Sequence, residues 1–339
     1  MARIAAPLLL CSALAACAHA PAPRDALQQP EAARLAGEVV AVAYSGYRAG
    51  QHPDRGDGAV DPSDAELQED LRILVRAGLR LIRLYDAGAV SARVLALIEA
   101  ERLPLRVMLG AWLEAEVSNH EGCPWLKEPI PAERLLANAA RNQAEVARVI
   151  ALALAHPEVV VAVNVGNEAL VSWNDHMVPM QSMLRYLGEV RAAIRQPVTT
   201  ADNYVVWAEQ GATLAPAVDF VAVHTYPAWE GRTAEGGLAF TVENLEAARR
   251  ATPGLPIVIG EAGWPTVASE FGARASEDAQ ALYVGALLTW AKAHNVTTFL
   301  FEAFDEAWKG DPTDPLGAEK HWGLFTQERA PKPAAGLLP

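Results

Sequence analysis

Glu168 and Glu261 each end a run of apolar residues, VVVAVNVGNE over 159–168 and IVIGE over 257–261. An acid that follows five to nine buried positions marks where a strand leaves the core, and two such acids, each beside glycines (Gly166, Gly260, Gly263), form a candidate pair. Two carboxylates about 5–5.5 Å apart meet the requirement for retaining cleavage of a sugar acetal: one gives a proton to the leaving oxygen, and the other attacks the anomeric carbon. Asn167, next to Glu168, is placed to hold a sugar 2-hydroxyl, and Tyr226 to orient Glu261 through its phenol. The other residues expected at strand ends are Tyr44, Tyr85, Asp86, Trp112, Asn203 and Glu302, a set of acids, amides and aromatics with hardly any Lys or Arg. Seven of the nine tryptophans (112, 125, 173, 229, 264, 308 and 322) fall at or just after strand ends, where indoles make platforms for the flat faces of sugars. His224 lies inside a strand, as a buried hydrogen-bonded histidine or as one lining the site; Cys123 reads as a buried thiol.

These residues need a scaffold that gathers strand ends. Apolar runs at Val39–Tyr44, Leu79–Tyr85, Leu105–Leu113, Val159–Asn167, Pro197–Asn203, Phe220–Tyr226, Ile257–Trp264 and Thr297–Phe304 read as strands. Segments with helical spacing separate most of them: Asp64–Ala77, Ser91–Arg102, Pro131–Ala155, Pro179–Ile194, Trp207–Ala217, Val242–Ala251 and Ser276–Asn295. Crossovers of this length make the strands parallel, and eight units over about 290 residues predict a closed α/β (β/α)8 TIM barrel in a single catalytic domain, 38–330, with a C-terminal tail at 331–339. The glutamates then sit on the fourth and seventh strands, at the face where such barrels carry their chemistry. An open nucleotide-binding sheet is disfavoured, because no glycine-rich turn follows the first strand.

The chain has 339 residues, a formal charge of −13, and half its residues apolar. So acidic a protein is a poor partner for nucleic acid or anionic lipid headgroups. No His/Asp cluster has metal spacing, so neither a metal nor another cofactor is expected. Residues 1–16 read as a secretory signal of lipoprotein type: Arg3, an apolar run, then Leu14-Ala15-Ala16-Cys17, with Cys17 as the lipid attachment point. The alternative is cleavage after Ala18-His19-Ala20 and a soluble periplasmic or secreted product. Residues 17–37, rich in Ala and Pro, read as a flexible tether, which gives an exported protein of the bacterial cell envelope that meets the membrane only through its lipid anchor.

Several segments together resemble one family. Ile259-Gly260-Glu261-Ala262-Gly263-Trp264-Pro265-Thr266 is similar to the nucleophile motif of glycoside hydrolase family 17, the β-1,3-glucanases, and Val165-Gly166-Asn167-Glu168 to its acid/base motif. Phe301–Lys309 with Glu319–Gly323 resembles the eighth-strand segment of the bacterial branch; Arg83-Leu84-Tyr85-Asp86 and His224-Thr225-Tyr226-Pro227 also match. The resemblance implies that Glu168 is the acid/base and Glu261 the nucleophile, supported by Asn167 and Tyr226. It further implies that Trp264 is a sugar platform, that Glu306 and Lys309 form a charged pair beside the nucleophile, and that β-glucan is the partner. From their places at or after strand ends, Tyr44, Tyr85, Asp86, Asn203, Glu302 and Trp308 complete the expected binding set, Glu302 and Asp86 either binding substrate or closing the barrel end. The acceptor of the glycosyl group, water or another β-1,3-glucan chain, stays open. The rival readings are a non-catalytic glucan-binding envelope protein and a metal-dependent barrel hydrolase.

Overall fold

A computed structural model of the chain describes residues 26–54 and 58–339. Eight parallel strands close into a barrel in chain order: β1 (Val40–Ala43), β2 (Leu81–Arg83), β3 (Arg106–Ala111), β4 (Val160–Asn167), β5 (Val198–Asn203), β6 (Val221–Thr225), β7 (Ile257–Ala262) and β8 (Thr298–Leu300). β8 returns to β1 with Val40 opposite Thr298. The crossover helices are α1 (Asp64–Arg76), α2 (Ala89–Ala100), α3 (Ala132–Ala155), α4 (Met180–Ala193), α5 (Tyr204–Leu214), α6 (Ala234–Ala251) and α7 (Glu277–His294). This is the single (β/α)8 barrel expected from the alternation of strands and helices. Helix starts follow local chemistry: Ser63 and Glu66 form a reciprocal capping box on α1, and Ser276 accepts from the Ala279 amide at the start of α7.

Two apolar layers divide the strand residues by their alternation. Val40, Val42, Ile82, Val107, Leu109, Val163, Val221, Val223, Ile257 and Ile259 belong to the large core between sheet and helices. Ala41, Leu81, Met108, Ala162, Ala222, Val258 and Phe299 form a second cluster that fills the barrel. Because side chains repeat every second residue, the positions above this inner layer also face inward. Arg83 and Tyr85 therefore follow Leu81 up one stave, and His224 and Tyr226 follow Ala222 up another. The small plug carries a polar layer.

From Leu27 onward, the segment expected as part of a tether lies against the barrel. Leu27 is buried, and the Gln29 side chain donates to the Ile257 carbonyl at 2.8 Å and accepts from the Ile257 amide at 2.8 Å, in place of a neighbouring backbone. Leu35 joins the inner cluster. The tail is docked as well, with Ala334 buried and Lys332 donating to Asp305 at 2.7 Å. Residues 1–16 and Cys17 lie outside the described residues. α6 begins eight residues earlier than its apolar spacing suggests, because Gly236-Gly237 in its first turn hides the helix from propensity.

Candidate active site

Glu261 should not face inward by simple alternation, because Ile259 points outward and Gly260 takes the inward position. A register shift corrects this: Val223 pairs with Ile259 but His224 pairs with Glu261, so Gly260 is an extra residue and the bulge turns the acid into the barrel. A Cβ at 260 would lie 3.1 Å from His224 Cδ2, so any larger residue there presses on the imidazole ring. β4 carries the matching irregularity. Asn164 pairs with Thr199 and Asn167 with Ala201, so three steps on β4 match two on β5. Gly166 at φ +77° and Glu168 at φ +46° occupy left-handed backbone at this exit, a conformation that costs energy for glutamate and collects at functional sites.

Glu261 is only 5% exposed in its side chain, and four groups hold it. Arg83, wholly buried, donates to Oε1 at 2.6 Å, and Tyr85 donates to the same oxygen at 2.9 Å. Tyr226 donates to Oε2, and His224 Nδ1 stands 3.4 Å from Oε2. Burial alone would raise the Glu261 carboxyl, but the Arg83 guanidinium and the two phenols pull it down, and the net shift is downward. The phenols move the other way: burial and the Glu261 charge raise Tyr85 and Tyr226 well above their ordinary value, which keeps both as hydrogen-bond donors. The arrangement is that of a carboxylate held ionised.

Glu168 is more open, at 17%, and receives a donor on each oxygen: His224 Nδ1 lies 3.1 Å from Oε1, and Asn174 donates to Oε2 at 3.2 Å. One imidazole nitrogen thus stands between the two acids. The oxygens that share it can be no further apart than the two contact distances laid end to end, about 6.5 Å, which reaches the retaining spacing and only the lower edge of the inverting one. Arg83 completes the cross-barrel web, donating to Asn167 Oδ1 at 2.5 Å and to the Gly260 carbonyl at 3.1 Å. Below Glu168, Asp202 accepts from the amides of Leu170 and Asn203; burial, and then the Glu168 charge, raise its carboxyl well above the usual value.

A second acidic group lies on the β8 side. Lys309 donates to Glu302 and stands 2.7 Å from Glu306, over the ring of Phe301. Burial pushes Glu302 well up against the pull of Lys309, whereas Lys309 and Ser45 overcome burial at Glu306 and hold it below the ordinary value. Glu302 is the raised member of the pair and Glu306 the lowered one. Trp308 donates to Glu306 at 3.0 Å and packs edge-on against Tyr47, so this corner offers a charged cluster beside an indole. Glu319 faces the same space: burial, opposed by Lys309 and reinforced by Glu168, Glu261 and Glu270, raises it to about 7.

The profile of the BtgE/BtgC glycoside hydrolase domain matches residues 41–323, which spans the barrel and every residue of this site. The chain belongs to that family. A glucan 1,3-beta-glucosidase of Arthroderma benhamiae is 28% identical over 287 residues, covering 79% of this chain and 83% of the relative. Among solved structures, an endo-laminarinase from Formosa Hel1_33_131 is 26% identical with a TM-score of 0.72, covering 85% of this chain and 83% of the other. The glycoside hydrolase family 17 beta-1,3-glucanosyltransferase of Rhizomucor miehei shares the fold, with a TM-score of 0.67, 21% identity and coverage of 90% and 97%.

For this BtgE/BtgC-type barrel, some expected binding residues stand elsewhere. Trp264 is wholly buried, packs on Tyr283 and donates its indole N–H to the Arg274 carbonyl at 2.8 Å, so it is a core residue and not a sugar platform. Trp322 is also buried, edge-on to Tyr226, whose phenol it helps to fix. Tyr44 is 1% exposed, and its hydroxyl donates to buried Asp70, so it too leaves the binding set. Asp86 binds the Gly88 amide at 2.7 Å and the Ser91 hydroxyl at 3.1 Å, fixing the start of α2, and Asn203 caps α5 by accepting from the Val205 amide at 3.1 Å. Both keep partial exposure at the rim. The exposed indoles are Trp125, Trp173 and Trp229, in the loops after β3, β4 and β6. Sequence reasoning gave no role to Arg83, Asp202, Asn174 or Glu319. For Arg83 the available signal was a lone cation two residues after Leu81 on an inward-facing stave.

Proposed function

We propose that this chain cleaves β-1,3-glucan by double displacement with retention, Glu261 acting as nucleophile and Glu168 as acid/base. The carrying observation is the single His224 nitrogen that both carboxylates approach, 3.1 and 3.4 Å away, which limits the separation of their facing oxygens to about 6.5 Å. Their surroundings suit opposite tasks. Glu261 is held by a guanidinium and two phenols that favour its anion, while the more open Glu168 faces the cleft. In the first step Glu261 attacks the anomeric carbon, the glycosidic bond breaks, and the proton of Glu168 goes to the leaving oxygen. In the second, Glu168 takes a proton from the acceptor hydroxyl, which attacks the same carbon and frees Glu261.

The relatives' printed activities support β-1,3-glucan as substrate, as glucosidase, laminarinase and glucanosyltransferase. Water as acceptor gives hydrolysis; a glucan hydroxyl gives chain transfer at the same site. The experiment is a time course on a reduced-end-labelled laminari-hexaose, read by product length and by proton NMR of the first anomer. A first-formed β-anomer supports the mechanism, and a first-formed α-anomer overturns it. Products longer than the hexaose assign transfer. Full activity in a chelator excludes the metal-dependent reading, and binding without turnover would favour a glucan-binding protein.

The address is proposed from sequence alone: export, and acylation at Cys17 facing the periplasm. Cys17→Ala should move the protein from the membrane to the soluble fraction, and an unchanged membrane fraction would remove the anchor.

A further inference from the structure

The His224 contacts constrain its proton. Arg83 Nη1 faces three groups, Glu261 Oε1 at 2.6 Å, the Gly260 carbonyl at 3.1 Å and His224 Nε2 at 3.1 Å. Nη1 carries two hydrogens for these three groups and a guanidinium only donates, so the 3.1 Å contact favours a lone pair on Nε2 and the ring proton on Nδ1. An imidazolium would set N–H against N–H in a site without solvent, since His224 is wholly buried and its ring is wedged against Gly260. Nδ1 then has one hydrogen for two acceptors, Glu168 Oε1 at 3.1 Å and Glu261 Oε2 at 3.4 Å.

We propose that His224 is a positioning residue, neutral and protonated on Nδ1, whose one N–H serves whichever of the two carboxylates carries the negative charge. This rests on the roles given above to Glu168 and Glu261. Before the first step the anion is Glu261, and Glu168 holds its proton. Attack turns Glu261 into a neutral ester and leaves Glu168 as the anion, so the charge crosses from one side of Nδ1 to the other. The second step sends it back. The imidazole neither gains nor loses a proton; a small tilt of the ring re-aims the donor, because the two acceptor distances differ by only 0.3 Å. Other charged or titratable groups face this trio from each neighbouring element: Arg83 from β2 with Tyr85 after it, Asp202 from β5 beneath Glu168, Tyr226 after β6, and Glu319 from the segment after β8.

Two measurements test this. In the full-length enzyme labelled with 15N-histidine, NMR should show His224, assigned by its loss in His224→Asn, as the neutral Nδ1–H tautomer from about pH 5 to 8. Its Nδ1 resonance should shift when a 2-deoxy-2-fluoro-glycosyl ester is formed on Glu261. An imidazolium or an Nε2–H tautomer overturns the proposal, whatever the variants do. The second measurement uses dinitrophenyl β-laminaribioside, whose leaving group needs no acid, so that steady-state kcat reports the second step. His224→Leu should lower kcat about ten- to hundredfold near pH 5 and less near pH 8, the acid limb moving to higher pH because the Glu168 anion has lost its donor. His224→Asn, which keeps an amide N–H near the Nδ1 position, should recover most of the loss. A Leu variant with unchanged kcat, or an Asn variant no better than Leu, overturns the proposal. Turnover surviving in Glu261→Ala would instead strike the underlying assignment of the nucleophile.

Discussion

Replacing Arg83 by Met keeps the length of the stem and removes the cation that lies under Glu261. The guanidinium is wholly buried and the carboxylate 5% exposed, so the 2.6 Å pair is a buried ion pair, and Arg83→Met leaves its anion behind. Breaking such a pair from one side costs about 3–5 kcal/mol, a sizeable part of the roughly 5–15 kcal/mol that holds a domain together. Asn167 Oδ1 loses its 2.5 Å donor in the same substitution. The sign of the pH dependence follows from the lowered Glu261 carboxyl. A depressed carboxyl stabilises the fold above its unfolded value, near pH 4.3, and that stability is lost as pH falls through the folded value. In Arg83→Met one of the groups that lower the carboxyl is gone while its burial remains, so Glu261 takes up a proton at higher pH than in the wild type and the penalty of an unpaired anion is relieved in acid. Urea unfolding should therefore show a deficit of about 3–5 kcal/mol near pH 7 that shrinks to less than half near pH 4. A deficit below about 1 kcal/mol, or one that does not change with pH, would refute the ion-pair reasoning.

Tyr226→Phe removes one donor from Glu261; kcat/KM should fall about ten- to hundredfold, and its acid limb should move to higher pH because the carboxyl rises, as read from a pH–rate profile on laminari-oligosaccharides. Gly260→Ala brings a Cβ to 3.1 Å from the buried His224 ring, so kcat should drop on the order of tenfold with little change in thermal midpoint. Trp264→Ala should lower stability by about 3–5 kcal/mol and leave KM for oligosaccharide nearly unchanged. Trp308→Ala should show the converse, a raised KM with stability within about 0.5 kcal/mol, measured by the same denaturation and initial-rate assays.

The barrel was legible because its strands are buried on both sides and read as continuous Val, Ile and Ala runs, with most helices between them amphipathic. Glu168 and Glu261 were legible because an acid at the end of such a run has nowhere to go but the exit of the core. What aims them was not. The extra residues at Gly260 and on β4 leave no mark in composition, and the inward turn of Glu261 depends on them. His224 reads the same in sequence whether it is an isolated core histidine or the residue between two acids; only the closed barrel brings it to both. Trp264 shows the opposite error. A tryptophan at a strand end looks like a platform, yet an indole whose N–H finds the Arg274 carbonyl can turn inward and be covered. The segment before β1 has no hydrophobic period because it docks through single residues, Leu27, Gln29 and Leu35, each against a different part of the barrel.

The most direct measurement is to trap the covalent intermediate. Full-length enzyme is incubated with 2-deoxy-2-fluoro-β-laminaribiosyl fluoride, digested, and the labelled peptide sequenced by tandem mass spectrometry. A single glycosyl adduct on the carboxylate of Glu261, with none on Glu168, is the expected result. An adduct on Glu168 or Glu302, or first-order inactivation without any covalent mass, would contradict the assignment of Glu261 as nucleophile.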